Sequence, residues 1–286
     1  MLYRHTAKMA NEEISILTLS LRTNLPDAQC KAYIQTACNF GLSLIDTGAD
    51  VALAGRIRTF VADTARTTGL LGSCACSTPA ELSAWIEAAG FSGADTLAVR
   101  VQSADELERL HKNGVFAAGR HAKNAGTLGS VGVSLPADPE LIRSICETVG
   151  DIDFIRIPLN ILLLEKTPRL REAVRFAGEC ELSVLASDPF AGGKLVPVPA
   201  EAHEAYRTAP VPRSHEEWAL RAVWEMQEVA TVTIEPANDA QFQRACVFAE
   251  TGRANSLPLR ELAVLEKAAH AFPDDETIFE CAQQIY

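Results

Sequence analysis

The chain is poor in basic residues, with 26 Lys and Arg against 37 Asp and Glu and a formal net charge of −11. An acidic surface repels phosphate backbones and anionic lipids, so the composition argues against nucleic acid and membranes as partners. Apolar runs long enough to span a bilayer are also missing. Residues 1–5 lack signal-peptide architecture, because no apolar segment follows their charges. These absences predict a location in a bacterial-type cytosol.

The eight cysteines form no metal-binding pattern. Cys74 and Cys76 are the one close pair, and a structural zinc site would need two further ligands. The sequence therefore predicts no metal, and reduced thiols that pack as small hydrophobic groups. A nucleophilic or redox role for the pair is the alternative. It would need a cationic or imidazole partner, and no histidine lies near in sequence.

Short apolar runs alternate with amphipathic stretches, and no linker or repeat divides the chain. The pattern predicts strands at residues 14–19, 42–47, 69–74, 95–101, 129–134, 154–158, 182–186 and 231–234. It predicts helices at 28–39, 80–89, from 103 onward, at 138–148 and at 256–272, with a short last helix after residues 273–275. Residues 191–213, rich in Gly and Pro, are predicted to form an irregular loop over the C-terminal face.

The predicted strands are apolar on both faces and are separated by helices, which is typical of a buried parallel sheet. Their even spacing over 286 residues favours closure into a barrel. The predicted fold class is α/β, a (β/α)8 TIM barrel, with residues 1–286 forming a single domain.

Six segments in chain order resemble motifs of the aldo-keto reductases. They are the opening at 3–20, which resembles a hairpin and the strand L-G-L-G-T; 40–47, G-x-x-x-x-D-T; 131–134, G-x-S; 157–160, P-Y-N; 188–195, P-L-A-G-G-K-L; and 217–221, W-A-L-R. The order and spacing of these motifs cover nearly the whole chain. The family's fold is the (β/α)8 barrel, so the resemblance implies the same architecture as the strand pattern.

The resemblance implies carbonyl reduction by NADPH with a tetrad of Asp, Tyr, Lys and His. The Tyr hydroxyl donates the proton, and its ordinary pKa of ~10 makes the cationic Lys part of the chemistry. Asp46 matches the family's Asp. The positions that match Tyr and His hold Val51 and Arg100, and the Lys would lie close to Cys74.

Three of these four roles are vacant in every plausible alignment. The sequence has no tyrosine between Tyr33 and Tyr206, no lysine between Lys31 and Lys112 and no histidine between His5 and His111. Valine cannot donate a proton, and arginine stays charged. Because losing a proton donor typically costs a factor of ~10²–10⁴ in rate, ordinary carbonyl reduction is not expected. Asp46 is accordingly interpreted as a structural carboxylate at the end of its strand.

Residues that match the family's cofactor site are kept only in part. The candidates are Ser134, Arg156 in place of a nicotinamide-binding Gln, Asn160, Gly192, Gly193, Gln241 and Arg244. The two glycines indicate loop flexibility, with phosphate cradling as the alternative. After strand eight, Glu235 and Pro236 stand where the family cradles phosphate with a glycine-containing loop, and proline removes an N–H donor. No cofactor is expected to bind well, and NADP is the one the family implies. Only Cys281 lies near the C-terminus, so an iron–sulfur cluster is not expected.

Three hypotheses remain open. In the first, the chain is a pseudoenzyme that binds a ligand or acts as a scaffold beside a protein partner. In the second, the barrel mouth uses Asp46, Arg100 and Cys74 on a small anionic substrate, where Arg100 and Arg156 either bind the anion or pair with rim carboxylates. In the third, the chain is an NADP-dependent oxidoreductase in which Tyr206 or His203 folds over from the loop after strand seven.

Overall fold

The computed structural model describes residues 1–62, 68–150 and 152–274. Its strands are β1 (Tyr3–His5), β2 (Glu13–Ser15), β3 (Leu17–Ser20), β4 (Leu44–Gly48), β5 (Gly69–Cys74), β6 (Thr96–Arg100), β7 (Ser130–Ser134), β8 (Phe154–Pro158), β9 (Ser183–Ser187) and β10 (Val229–Ile234). Its helices are α1 (Asp27–Phe40), α2 (Val51–Val61), α3 (Pro79–Ala88), α4 (Ala104–Lys112), α5 (Val115–Asn124), α6 (Pro139–Thr148), α7 (Ile161–Lys166), α8 (Pro168–Glu179), α9 (Ala200–Arg207), α10 (His215–Trp224), α11 (Asp239–Phe248) and α12 (Leu259–Ala271).

Eight parallel strands close into a barrel in the order β10-β3-β4-β5-β6-β7-β8-β9. Strand β10 pairs with β3 on one side and with β9 on the other, which closes the sheet. The predicted (β/α)8 barrel is therefore confirmed. Within the described residues, none of the helices is long and apolar enough to cross a membrane.

The antiparallel hairpin β1–β2 lies before the first barrel strand. Met9 and Ile14 from this segment join the apolar cluster of the barrel interior. The single strand predicted at 14–19 is thus two strands, because the chain leaves the hairpin at Ile16 and enters the barrel at Leu17.

Local capping signals place several helix starts. Ser103 caps α4 by accepting a hydrogen bond from the Glu106 amide at 3.2 Å, and the Glu106 carboxylate accepts from the Gln102 amide at 2.8 Å. The arrangement is close to a capping box, except that the Glu106 carboxylate accepts from the amide before the N-cap rather than from that of Ser103. Thr78 caps α3, with proline in the first turn.

The prediction for residues 191–213 was wrong in part. The segment contains a 3-10 turn at Ala191–Gly193 and the helix α9. Helix α9 packs against α12 and contributes Ala202, Ala205 and Tyr206 to a second buried cluster outside the barrel. The stretch is therefore helical where its small residues find a packing partner. The short last helix predicted after 273–275 lies outside the described residues.

Candidate functional site at the barrel mouth

Alternate residues of each barrel strand face the lumen, because side chains in a strand alternate between the two faces. The lower lumen is apolar and is filled by Leu44, Leu71, Ala98, Phe154, Leu185 and Ala230. The intervening residues, such as Ile45 and Val99, pack in the larger cluster between the strands and the helices. The strands therefore have an interior face and a helix-covered face, with a register shift in β10 between Val229 and Thr231.

The upper lumen is polar. Two residues beyond the apolar layer, on the same face of five strands, come Asp46, Ser73, Arg100, Arg156 and Ser187. The same alternation places Ser134 and Thr18 in the lumen, and the Thr18 hydroxyl lies 2.9 Å from the Thr231 hydroxyl. We call this set the upper polar layer. It lies at the C-terminal ends of the strands, the face at which TIM-barrel sites are built.

An ion pair crosses the upper polar layer. An Nη2 donor of Arg156 on β8 contacts the Oδ2 of Asp46 on β4. These strands are four places apart in the eight-stranded barrel and so lie on opposite walls. Asp46 is fully buried, Arg156 is 5% exposed, and the Oδ1 of Asp46 also accepts from the Gly48 amide at 2.8 Å. Of the two interpretations of Arg156, ion pair or anion ligand, the structure shows the ion pair.

Arg156 also has one hydrogen-bond donor that is not used in the ion pair. The Nη1 of Arg156 is buried and has no hydrogen-bond partner among the described residues. Arg100 is half-buried, its Nε is likewise without a partner, and within the described chain it forms no ion pair. Register pairs Arg100 with Ser134 and Ser134 with Arg156, so the three lie in one row on adjacent strands. With strands ~4.8 Å apart, the two arginine Cα atoms are roughly 10 Å from each other.

Cys74 does not join this row. Gly72, two residues earlier on β5, faces Trp85 and Phe91 of the helical layer, so Cys74 points the same way and lies outside the lumen. Its Sγ lies 3.9 Å from that of Cys76. The hydrogen bond that Cys74 donates, together with burial, raises the pKa of the Cys74 thiol. Accepting that bond lowers the pKa of Cys76.

The seven cysteines of the described chain are free thiols. Five are buried as predicted, whereas Cys146 and Cys180 are half-buried. Among the described residues no three potential ligands gather to hold a metal ion. Cys281 lies outside the described residues.

The two cofactor candidates on α11, Gln241 and Arg244, already form hydrogen bonds with other residues of the chain. The guanidinium of Arg244 donates through Nε and Nη2 to the two carboxylate oxygens of Glu216, each at 3.0 Å. Gln241 accepts from the Ala237 amide at 2.6 Å and donates to Glu216 at 3.3 Å. Glu235 pairs with Arg22. A phosphate arriving here would meet the negative charge of Glu216, which already accepts from two of the five N–H donors of Arg244.

The candidates after β8 and β9 also have structural roles. Asn160 is 1% exposed and caps α7, accepting from the amides of Leu162 and Leu163 at 3.1 Å. Gly192 and Gly193 adopt positive φ in the 3-10 turn, which favours glycine. The Gly192 amide donates to the Asp188 carboxylate at 2.6 Å. The turn therefore holds a carboxylate of its own chain where a phosphate would bind.

Tyr206 and His203 lie in the helical layer formed by α9 and α10. Tyr206 is 9% exposed, and its ring stacks on Trp218 at 5.8 Å. Burial raises the pKa of the Tyr206 phenol to about 12, which makes it a weaker acid than an ordinary tyrosine. His203 hydrogen-bonds His215, with 3.3 Å between the ring nitrogens. The contacts of both residues thus belong to this layer. Trp218 and Trp224 are fully buried.

Sequence reasoning missed the partners rather than the positions. Sequence spacing gives no sign that Glu216 on α10 pairs with Arg244, or that Arg22 pairs with Glu235.

A further groove of about 610 Å³ lies near the opposite end of the lumen, lined by His5, Arg175, Glu181 and Glu228. Because TIM-barrel sites lie at the C-terminal face, we assign it no function.

Comparison with solved structures identifies the fold. An aldo-keto reductase from Bacillus halodurans in its holo form is similar over 95% of this chain and 97% of its own, with a TM-score of 0.77 and 17% identity. The enzyme MGS-M4, an aldo-keto reductase from a Medee basin deep-sea metagenome library, covers 94% of this chain and 96% of its own, at TM-score 0.67 and 12% identity. A thermostable aldo-keto reductase in complex with the inhibitor epalrestat covers 94% of this chain and 100% of its own, at TM-score 0.68 and 15% identity.

No family model and no curated protein matches the sequence. At these identities the comparisons establish the fold: the chain has the barrel fold of the aldo-keto reductases. The resemblance noted in the sequence and the structural likeness thus agree.

Proposed function

We propose that this chain is a member of the aldo-keto reductase family that has lost NADPH-dependent carbonyl reduction and works by binding. The observation that carries the proposal is the ion pair across the mouth, in which Arg156 engages Asp46. Asp46 is the one tetrad residue that the resemblance retains, and its carboxylate is committed to a structural contact. The position that matches the family's Tyr holds Val51, the first residue of α2.

The chemistry of reduction lacks a proton donor at this mouth. Hydride transfer to a carbonyl leaves an oxygen that must receive a proton, and general acids contribute a factor of ~10²–10⁴. Val51 has no ionisable group, and a guanidinium such as that of Arg100 acts as a hydrogen-bond donor rather than as a general acid. The phenol of Tyr206 packs against Trp218 and has a raised pKa. The first hypothesis of the sequence is therefore favoured over the third.

The residues do not fit NADP well. Arg244 is held bidentately by Glu216, and the turn at Gly192 is filled by the Asp188 carboxylate. Each contact opposes a phosphate by occupying the donor and by placing negative charge beside it. We accordingly derive no step through a nicotinamide. We further propose that the protein is located in the cytosol and that it acts together with a protein partner.

The first test is a titration of NADPH followed by a panel of aldehydes and ketones, with the Bacillus halodurans aldo-keto reductase as a positive control. We expect no saturable change in NADPH fluorescence where the control is saturated, and no loss of absorbance with any carbonyl. Binding without turnover would support the loss of chemistry and overturn only the weak binding of NADP. Turnover that exceeds a heat-inactivated sample would contradict the proposal.

A second candidate function is binding of a small anion at the mouth. It is favoured by the buried Nη1 of Arg156 and Nε of Arg100, which have no partner within the described chain and flank Ser134 in one row. An unfilled buried donor costs ~1–3 kcal/mol, so an anionic oxygen placed there would be stabilised. Asp46 neutralises one of the two arginines, which leaves the row with one positive charge for a monoanion or one carboxylate group.

Arg100→Ala tests this candidate. Calorimetric titration with inorganic phosphate and with malonate should show binding to the parent protein that weakens about tenfold or more in the variant, because a charged hydrogen bond contributes ~1.5–3 kcal/mol. The matched control is Arg169→Ala, which removes an exposed arginine paired with Glu140. Equal affinity in all three proteins, or no binding to the parent, would remove the anion site while leaving the loss of reduction intact.

A further inference from the structure

The loop between β5 and α3 places two thiols side by side. Cys74 ends β5, Cys76 precedes the first residue of α3 by three positions, and their sulfurs are 3.9 Å apart. Cys74 is 1% and Cys76 is 6% exposed, so the pair is covered but lies at the edge of the helical layer. Ala75 between them is exposed and small. Cys74 is the last residue of β5, and Ala75 and Cys76 lie in the irregular loop that follows it.

The geometry lies within reach of a disulfide. Residues two apart in an extended chain have Cα atoms at most ~6.6 Å apart, inside the range of ~4.4–6.8 Å that disulfides span. The sulfurs must approach from 3.9 Å to a bond length of ~2.05 Å, which rotation about the two side chains can supply. Cys146 on α6 and Cys180 just after α8 also interact with each other, but both are far from Cys74 and Cys76 in the sequence.

The two thiols are electrostatically unequal. The Cys74 thiol donates its hydrogen bond to the Cys76 sulfur, which favours the thiolate form at Cys76. Glu81 and Glu106 act in the opposite direction on Cys76, and the positive charge of Arg100 acts on Cys74. The hydrogen bond is the largest influence on both pKa values. Cys76 is therefore the attacking sulfur and Cys74 the resolving one, the division of roles that thiol oxidation requires.

We propose that Cys74 and Cys76 form a redox-active dithiol that a hydroperoxide oxidises to an intramolecular disulfide. In the first step the Cys76 thiolate attacks an oxygen of the hydroperoxide. The O–O bond breaks, the alcohol (water, for hydrogen peroxide) leaves after taking a proton from solvent, and Cys76 becomes a sulfenic acid. In the second step the Cys74 sulfur attacks the Cys76 sulfur, the S–O bond of the sulfenic acid breaks, and the hydroxide that leaves takes the Cys74 proton to form one water. Two thiols lose two electrons and the peroxide gains them.

This dithiol shares no residue with the row of Arg100, Ser134 and Arg156, since Cys74 faces the helical layer and Arg100 faces the lumen. A disulfide that closes so small a ring is strained, and strained disulfides are easily reduced again. The site is therefore expected to cycle between the two states rather than to staple the fold. A small thiol would restore it.

Mass spectrometry gives a direct test. Trypsin cleaves after Arg66 and Arg100, and the peptide between them contains Cys74 and Cys76 and no other cysteine. The native protein treated with hydrogen peroxide and then alkylated should yield this peptide unalkylated and lighter by two hydrogens. Dithiothreitol should reverse the change. The thiols of Cys74 and Cys76 should oxidise at least tenfold faster than those of Cys30 and Cys246, which are fully buried and have no neighbouring cysteine in the sequence.

Three variants separate the roles. Cys74→Ser should stop at a sulfenic acid on Cys76 that dimedone traps, and Cys76→Ser should give neither disulfide nor adduct. The control Cys146→Ser/Cys180→Ser should leave oxidation of the 67–100 peptide unchanged. Circular dichroism should show all three folded, since serine is nearly the size of cysteine. The proposal is overturned if the parent peptide remains fully alkylated after peroxide treatment, or if Cys76→Ser is oxidised at Cys74 as fast as the parent.

Discussion

Arg156→Met should lower the free energy of unfolding by about 3–5 kcal/mol, because it leaves the fully buried carboxylate of Asp46 without its cation. The remaining contact of Asp46 is the Gly48 amide on the other oxygen, which does not replace a guanidinium. Urea denaturation followed by circular dichroism measures the change, with the slope of the transition checked for two-state behaviour.

Two further variants make this result specific to the ion pair. The double change Asp46→Asn/Arg156→Met removes both charges and should recover more than half of the loss, since a neutral pair has no unpaired charge to bury. Arg169→Met breaks an exposed pair with Glu140 and should cost less than about 1 kcal/mol. An Arg156→Met variant as stable as Arg169→Met would show that the crossing pair contributes nothing to the fold.

Asp95→Ala should also be strongly destabilising, by roughly 2–5 kcal/mol, since it removes a fully buried carboxylate that accepts from two backbone amides and from the partly exposed Arg58. Its buried carboxylate precedes β6 and accepts from the amides of Leu70 and Ser92 at 2.8 and 2.7 Å and from the Arg58 guanidinium at 2.6 Å. Losing it leaves two backbone donors and a cation without their acceptor, at the N-terminal end of the barrel where β5 and β6 begin.

The matched comparison is Asp105→Ala on the exposed first turn of α4, which should cost less than about 1 kcal/mol. The midpoint of thermal unfolding for the two variants gives the same ranking without extrapolation. Equal midpoints for the two variants would mean that the strand starts do not depend on the Asp95 carboxylate.

The fold could be predicted from the sequence because each strand is marked locally. Residues 69–74 and 154–158 were placed with the correct ends, since each is a short apolar run that begins directly after a polar residue, Thr68 or Asp153. The other predicted strands differ from the structure by one to three residues at their ends. Closure into a barrel followed from the number and even spacing of the strands, which is a property of the whole chain.

The site was predicted less completely, since its contacts join residues far apart in sequence. The alternation of β4 and β8 indicates that Asp46 and Arg156 face the lumen, yet it does not say which of Arg100 and Arg156 reaches the carboxylate. That choice depends on Arg156 lying opposite β4 in the closed barrel. The positions of Cys74 and Arg100 are a similar case, because a shift of one residue in the phase of the strand decides between lumen and helical layer.

The cofactor candidates show what a motif can and cannot say. The sequence predicts correctly that Gln241 and Arg244 lie on the helix after the last barrel strand. Their availability depends on Glu216, which arrives from α10 and occupies both. An occupied donor and a free donor have the same sequence signature, so only the three-dimensional contacts distinguish them.

The salt bridge between opposite walls of the barrel also bears on how the chain could evolve. Val51→Tyr alone would add a phenol to a barrel whose Asp46 carboxylate is already held by Arg156, and removing Arg156 alone would leave that carboxylate unpaired in the protein interior. Under the proposed function, neither Asp46 nor Arg156 can therefore be exchanged alone without a loss of stability. Selection for a stable barrel would be enough to keep the two residues together, even without any demand for catalysis.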